Sequence, residues 1–304
     1  MNYNKPPLSF SDQISKLQSR GLRINSIPDA EHYLRNISFY RLRAYSYPFQ
    51  DNKDPNHPFI VPDITFDQII ELYNFDRKLR LLIYDAIEKI EVAFRTQIIY
   101  HWSLNHGGHW YTDPSMYRSK RDFDNQINAI QDELNRSTET FIDHYYKTYT
   151  SPSEPPAWMS LEVISIGRLS QLFQSLKKGP EKLAVTQYFG LNKIDLMENW
   201  MHAISNIRNI CAHHGRLWNR RLTTHIDLPT NPRHLFVVEK FEHQGIYPYK
   251  LYPALCAIVY LMNIINPQST FKNRLVTLVK ACPLRQISEM GFPFDWDLDP
   301  FWLT

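Results

Sequence analysis

The chain has 304 residues, of which 43% are hydrophobic and 21% are charged. This composition can bury a substantial core in one large or two ordinary domains, and it argues against a disordered protein. The formal net charge of +3 is only mildly basic, so a surface coated in positive charge is excluded and any nucleic-acid surface has to be local.

Cysteine usage and hydropathy favour a soluble, cytoplasmic protein. Cys211, Cys256 and Cys282 are odd in number and lack the close spacing of a metal site, which indicates a reducing compartment. The chain opens on MNYNKPPLSF without an apolar signal region, and no run of about 18 apolar residues follows. We therefore expect no membrane association.

The first 50 residues predict an N-terminal helical segment. Ser9 or Ser11 can cap a helix that continues through Arg20, and Gly21 is well placed to end it. A second helical stretch opens at Pro28-Asp29 and continues through EHYLRNISFYRLRAYSY.

This second stretch interleaves arginines with aromatic residues. Such a surface can stack bases and neutralise phosphates, but the same composition also suits ordinary packing with a solvated edge. Arg41 and Arg43 are therefore candidate RNA contacts.

A proline-rich loop at 48–64 is the best candidate for a boundary. After it, Thr65 and Gln68 form a capping-box pattern, and the longest helical signal of the chain continues to about Asn105, where Gly107-Gly108 stops it. Forty helical residues would span about 60 Å, a length at which a kink or break is a reasonable alternative.

The long helix also contains an arginine and a histidine, Arg95 and His101, that could form a catalytic pair. The two residues lie about 240° apart around a helix axis, and no asparagine follows the arginine. An ion pair with Glu91, one turn earlier, is the favoured role for Arg95.

The middle of the chain predicts several shorter helices. Loop 106–118 contains His106 and His109, which lack a fixed third ligand, so no metal site is predicted there. Helical patterns follow at about 121–135, 138–148 and 157–176, with a short helix between Pro180 and Gly190 and a longer one from Lys193 to His214.

The C-terminal part begins with an irregular insert near 222–248 and continues with helices at about 249–265 and 269–281. The aromatic and acidic tail at 282–304 either staples the bundle or covers a basic surface. The resulting prediction is an all-α protein with three parts: a helical segment at 1–50, a helical bundle at 65–281 and the tail at 282–304.

Reactive side chains concentrate between Trp200 and Arg221. The segment contains four arginines, three histidines, three asparagines and a cysteine. Apolar residues recur at helical spacing, so it predicts an amphipathic helix up to Gly215 with a densely functional polar face.

Within this helix, Arg208 and His213 are about 140° apart, a gap that the long arginine side chain can close, and Asn209 lies one turn from His213. An imidazole that exchanges a proton near neutral pH, beside a guanidinium that grips phosphate at two points, suits phosphodiester chemistry. Such a pair requires no metal and no cofactor.

The segment Arg208-Asn209-Ile210-Cys211-Ala212-His213 resembles the R-N-x-x-x-H form of the HEPN ribonuclease motif. The wider string RNICAHHGRLWNR is similar to the hallmark of Abi-like abortive-infection proteins of the AbiD/AbiF group. Family-like strings elsewhere are KPPLSFSDQISKLQSRGL, YLRNISFYRLRAY, IEVAFRTQI, PPAWMSLEVISIGRLSQLF and MGFPFDW. The resemblance therefore extends over nearly the whole chain.

The resemblance implies a HEPN-type helical bundle with additional N-terminal and C-terminal helices. It also implies a toxin-like endoribonuclease of antiviral defence, in which the ribose 2′-OH attacks the adjacent phosphate and leaves a cyclic phosphate. His213 would be the general base or acid, Arg208 would hold the phosphate, and Asn209 would orient an oxygen or the imidazole.

The family also implies partners. HEPN sites form where two such helices meet, so a homodimer is expected, and a small structured noncoding RNA is expected to restrain the protein as an antitoxin. His214 fits a looser form of the motif, and it is assigned to substrate binding or orientation. Arg216, Arg220 and Arg221 are phosphate contacts or ion pairs that support the helix end.

Two other interpretations remain open. A non-catalytic RNA-binding protein would use the same helix to hold a structured RNA. A metal site made of Cys211, His213 and His214 is the weaker interpretation, because these residues converge poorly on a helix.

Overall fold

The computed structural model describes residues 6–237 and 247–303. Among these residues the secondary structure is helical and no strand forms, apart from three isolated bridges. The all-α prediction is confirmed. Residues 238–246 of the insert predicted near 222–248 lie outside the described residues. The described part of the insert contains no α-helix, and its last two residues belong to a short 3-10 helix, Tyr247–Tyr249.

The α-helices in the described part of the chain follow the predicted order. They are α1 (Phe10–Ser19), α2 (Ile27–Asn36), α3 (Phe39–Ser46), α4 (Phe66–His106), α5 (Lys120–Arg136), α6 (Thr140–Thr148), α7 (Ala157–Ser160), α8 (Ile166–Ser175), α9 (Pro180–Tyr188), α10 (Ile194–Ala212), α11 (Leu251–Ile265) and α12 (Phe271–Lys280).

Two stretches that the sequence presents as continuous are divided. The Ser38 side chain accepts from the Arg41 N–H at 3.2 Å and begins α3, and Ser165 likewise begins α8. A serine hydroxyl can satisfy a free N–H at a helix start, and this favours a new helix over continuation of the old one. The longest helix, α4, is instead a single element of 41 residues.

The chain divides into two compact units. The first comprises Met1–Leu79 with Leu278–Ile287, and the second comprises Arg80–Thr277 with Ser288–Thr304. The domain bounds predicted from the sequence remain a prediction. They are 1–50, 65–281 and 282–304.

In the first unit the expected caps are present. Ser9 caps α1, and Thr65 and Gln68 form the reciprocal capping box of α4 with bonds of 3.0 and 3.3 Å. The buried Tyr45 donates its hydroxyl hydrogen to buried Asp76 at 2.6 Å. A buried carboxylate is tolerated there because a hydrogen bond offsets part of its desolvation.

In the second unit, α10 packs against α8, α9 and α11. The last of these is the most apolar helix, and its residues from Leu251 to Met262 are buried. Trp200 on α10 contacts Tyr260 on α11 edge-on, with ring centroids 5.6 Å apart. These contacts fix the position of α10, which carries the candidate reactive residues.

The aromatic tail folds back on α11. Trp302 is buried, packs on Tyr252 and Trp296, and donates its Nε1 hydrogen to the Tyr252 hydroxyl at 3.0 Å. Of the two roles left open by the sequence, these contacts support the staple.

Cys211, Cys256 and Cys282 are all buried, and they form no disulfide with one another. No helix in the described part of the chain is both long enough and apolar enough to cross a membrane.

Candidate active site at the end of helix α10

Helix α10 ends at Ala212, earlier than the predicted Gly215. The His214 N–H donates to the Cys211 carbonyl at 3.1 Å, and the Gly215 N–H donates to the Ile210 carbonyl at 2.8 Å. This pair of bonds is the Schellman arrangement, which satisfies the last carbonyls of a helix and turns the chain away. His213 is consequently the C-cap, and His214 lies outside the helix.

His214 has φ +55°, the left-handed conformation that usually belongs to glycine at this point of the motif. Immediately afterwards, Leu217 and Trp218 are fully buried. Their burial fixes the direction in which the chain leaves the helix, and this explains why the apolar periodicity continues past the helix end.

Arg208 is half-buried, and its guanidinium carbon lies 5.6 Å from the ring centroid of Tyr84 on α4. Contact with an aromatic face stabilises a guanidinium and limits the directions in which it can point. Tyr84 was not singled out in the sequence, and no local pattern marks it, because its partner lies on another helix.

Asn209 and His213 are both exposed. They stand one turn apart, and the His213 N–H donates to the Asn209 carbonyl at 3.0 Å. An exposed imidazole beside an exposed amide can exchange protons with a ligand and position it by hydrogen bonds. All three predicted catalytic residues therefore lie within six residues at the C-terminal end of α10.

The predicted phosphate contacts lie just beyond this turn. Arg220 is exposed, and its Nη1 is 3.4 Å from the Arg216 carbonyl oxygen. Arg221 is exposed as well, with its guanidinium 4.8 Å from the Tyr249 ring centroid. An arginine held against a ring keeps its edge free to hydrogen-bond an anion.

The second possible pair, Arg95 and His101, lies in a different environment. Arg95 is buried, with Glu91 at 2.8 Å, Glu162 at 3.5 Å and the Ile164 carbonyl oxygen at 2.9 Å. The predicted ion pair with Glu91 is confirmed, and its contacts commit this guanidinium to the fold. Burial lowers the pKa of His101, an effect that nearby Glu181 opposes.

Arg41 and Arg43 lie on α3, in the first compact unit. Arg41 is exposed and follows Tyr40, which is 82% exposed, and the Arg43 guanidinium is 6.0 Å from the Tyr47 ring centroid. Tyr45 of the same helix is buried in the core. The arginine–aromatic pattern thus combines core packing with an exposed basic and aromatic surface.

The alternative metal interpretation gains no support from burial, since Cys211 is buried while His213 and His214 are exposed. Among residues 6–237 and 247–303, no group of three or more histidine, cysteine, aspartate or glutamate residues is arranged to hold a metal.

Fold and site together define an all-helical protein in which a half-buried arginine, an exposed asparagine and an exposed histidine lie close in sequence at one helix end. The model of the Abi-like protein family matches residues 32–219, more than half of the chain, so the chain belongs to that family. The matched region includes the α10 cluster. No curated protein and no solved structure gives a significant match. Family membership indicates a role in abortive infection, a defence against phages.

Proposed function

We propose that this chain is a toxin-like endoribonuclease of abortive infection, with Arg208, Asn209 and His213 as its catalytic residues. The observation that carries the proposal is the C-terminal end of α10, where a guanidinium packed against Tyr84, an exposed amide and an exposed imidazole occur within six residues. They are the group types required to bind a phosphodiester and move a proton beside it.

In the proposed reaction, the His213 imidazole removes the proton from a ribose 2′-OH. The 2′ oxygen then attacks the adjacent phosphorus, and the bond from phosphorus to the 5′ oxygen breaks. A second acid protonates the departing oxygen, leaving a 2′,3′-cyclic phosphate and a 5′-OH end. Arg208 neutralises the charge that develops on the phosphate oxygens, and Asn209 orients one of these oxygens or the imidazole.

The second acid is proposed to be His213 of another copy of the chain. Within one chain, the Arg95–His101 pair is unsuitable as the second half of the site, because Arg95 already forms ion pairs with Glu91 and Glu162. On α4, Leu81 and Val92 are 57% and 50% exposed on the helix that carries Tyr84. This apolar face beside Arg208 is the surface we assign to a homodimer, since apolar side chains gain from being covered.

A small structured noncoding RNA is the proposed restraint on the toxin. Its candidate contacts are the exposed Tyr40 and Arg41 with Arg43 on α3, because rings stack on bases while guanidinium groups neutralise phosphates.

The test is expression of the wild-type chain and of the His213→Ala and Arg208→Ala variants from a tightly controlled promoter, with growth followed and RNA ends mapped. The wild type should arrest growth and produce new 2′,3′-cyclic phosphate ends. Each variant should lose these ends by a factor of at least about 100, as expected when a general acid–base group or a charge-stabilising donor is removed.

Matched controls are His144→Ala and Arg136→Ala, which remove an exposed histidine and an exposed arginine elsewhere. Both should behave as wild type. If His213→Ala keeps its RNA affinity and still produces the new ends, the assignment of His213 is wrong. If the wild type binds RNA and produces no new ends even after the bound RNA is removed, the chain is a binder rather than a nuclease.

A further inference from the structure

A narrow cleft lies between α10 and the segment that follows it. Asn206 and Ile210 of α10 form one wall, and Arg220, Leu222, Thr223 and Thr224 form the other. The cleft offers about 160 Å³, below the roughly 300 Å³ at which pockets for drug-sized ligands begin. One planar ring system is the kind of group that such a space accommodates.

The cleft adjoins the candidate catalytic residues. Asn206 is three residues before Asn209 and seven before His213, so these side chains share one side of α10. Arg220 reaches back to the turn after the helix, where its Nη1 lies 3.4 Å from the Arg216 carbonyl oxygen. A nucleotide whose phosphate lies at His213 therefore has its neighbouring base within reach of the cleft.

The side chains that line the cleft are partly apolar and partly polar. Ile210 and Leu222 supply the apolar surface, and the Asn206 amide donates one hydrogen to the Thr224 hydroxyl at 3.0 Å. The amide retains a carbonyl acceptor and a second hydrogen. Paired donors and acceptors of this kind read the edge of an unpaired base.

The opposite wall is held in place by hydrogen bonds to α10. The Asn199 amide donates to the His225 carbonyl at 3.0 Å and accepts from the Asp227 N–H at 2.9 Å. Trp200 donates its Nε1 hydrogen to the Asp227 carbonyl at 2.8 Å. The cleft is therefore preformed, which reduces the cost of ordering it around a ligand.

We propose that this cleft binds the base next to the scissile phosphate of single-stranded RNA, and that Asn206 and Thr224 determine which base is preferred. The proposal rests on the nuclease function proposed above, and it adds the origin of its sequence preference. Arg220, at the cleft wall, would stack on the base or contact its phosphate.

The experiment uses the full chain with His213→Ala, so that RNA is bound without being cut. Affinities are measured for short oligo(A), oligo(C) and oligo(U). Because each of these RNAs contains one kind of base, the same base enters the cleft whichever nucleotide binds there. The best and worst of the three should differ by about tenfold, the factor expected of a hydrogen bond to a base edge. Adding Asn206→Ala or Thr224→Val should reduce the difference to about twofold or less.

Thr224→Ser keeps the hydroxyl and should keep the preference, and Asn128→Ala, an exposed asparagine on α5, should leave it unchanged. Each variant should show the unfolding transition of its parent. Equal affinities for the three RNAs, or a preference that survives both Asn206→Ala and Thr224→Val, would overturn the proposal.

Failure of this proposal can be told apart from failure of the nuclease function. Cut sites are mapped with His213 restored, in the wild type and in the Asn206→Ala variant. His213-dependent cuts with the same base preference in both would overturn the cleft assignment alone. Base discrimination that depends on Asn206, in a chain that makes no His213-dependent cuts, would overturn the nuclease and retain the cleft as a base-binding site.

Discussion

His214 occupies a backbone conformation that most residues avoid. At φ +55° a side chain crowds the following carbonyl, and the cost is about 1 kcal/mol or more for a residue other than glycine. Strain of this size persists where surrounding contacts impose it, and here buried Leu217 and Trp218 impose the path of the chain. The histidine therefore costs stability that a glycine would not.

Replacing His214 by glycine and by alanine tests this account. Both variants lose the imidazole, so their difference isolates the backbone. The glycine variant should be more stable than the alanine variant by about 1 kcal/mol, because only glycine adopts this conformation without strain. Denaturant unfolding measures the difference, and equal stabilities would contradict it.

At the scale of the element, α4 shows how a few side chains start a long helix. Thr65 and Gln68 each satisfy one backbone N–H of the first turn. This reciprocal arrangement was predicted from the sequence because both partners lie within four residues of each other.

Removal of the cap by Thr65→Ala should cost about 1 kcal/mol, since one N–H of the first turn loses its partner. Thr96→Ala is the matched control on the same helix. Thr96 is exposed and donates its hydroxyl hydrogen to the Val92 carbonyl oxygen at 2.8 Å. Both residues lie in the interior of α4, where backbone N–H and carbonyl groups already pair with each other. Replacement of Thr96 should cost close to nothing, because alanine favours helix interiors. Equal losses in thermal unfolding would show that Thr65 does not act as a cap.

The end of α10 was harder to predict than the start of α4. Apolar spacing continues through Leu217, so the periodic pattern favours a longer helix than the one that forms. The stop depends on the Gly215 N–H bond to the Ile210 carbonyl and on the burial of Trp218. The glycine marks the approximate position of the stop in the sequence, but the hydrogen bond that ends the helix at Ala212 is set by the folded chain.

At the scale of the whole molecule, the proposed dimer places the exposed α4 face against a second copy. Leu81, Tyr84 and Val92 lie within about 80° of one another around the helix axis. Val92→Glu should convert a dimer into single chains of 36.1 kDa in sedimentation experiments, because a carboxylate is costly to bury. It should also reduce RNA cutting.

Leu104→Glu is the control for this change. Leu104 is 69% exposed on the same helix, 12 residues further on and on another side, so its replacement should leave the mass unchanged. A wild-type chain that sediments as a single copy while cutting RNA would rule out the dimer and require a second acid from the chain itself.

Local sequence patterns were enough to predict the all-α class and the caps of α1 and α4, and they located the candidate reactive residues along the chain. Serine and threonine caps, glycines at turns and the Arg208–His213 spacing act over a few residues, where covalent geometry limits the alternatives. The family strings added a hypothesis about the chemistry, and the family match shows membership of the Abi-like family alone.

The contacts between side chains of separate elements could not be predicted from the sequence and are seen in the folded structure. The contact of Arg208 with Tyr84, the Asn206 bond to Thr224 and the packing of Trp302 on Tyr252 each join residues from different segments. The spacing of apolar residues indicates which face of a helix is buried, but it does not indicate which residues of another element pack against that face. Those partners depend on the packing of all the elements together, because many side chains have to be buried and closely packed at the same time.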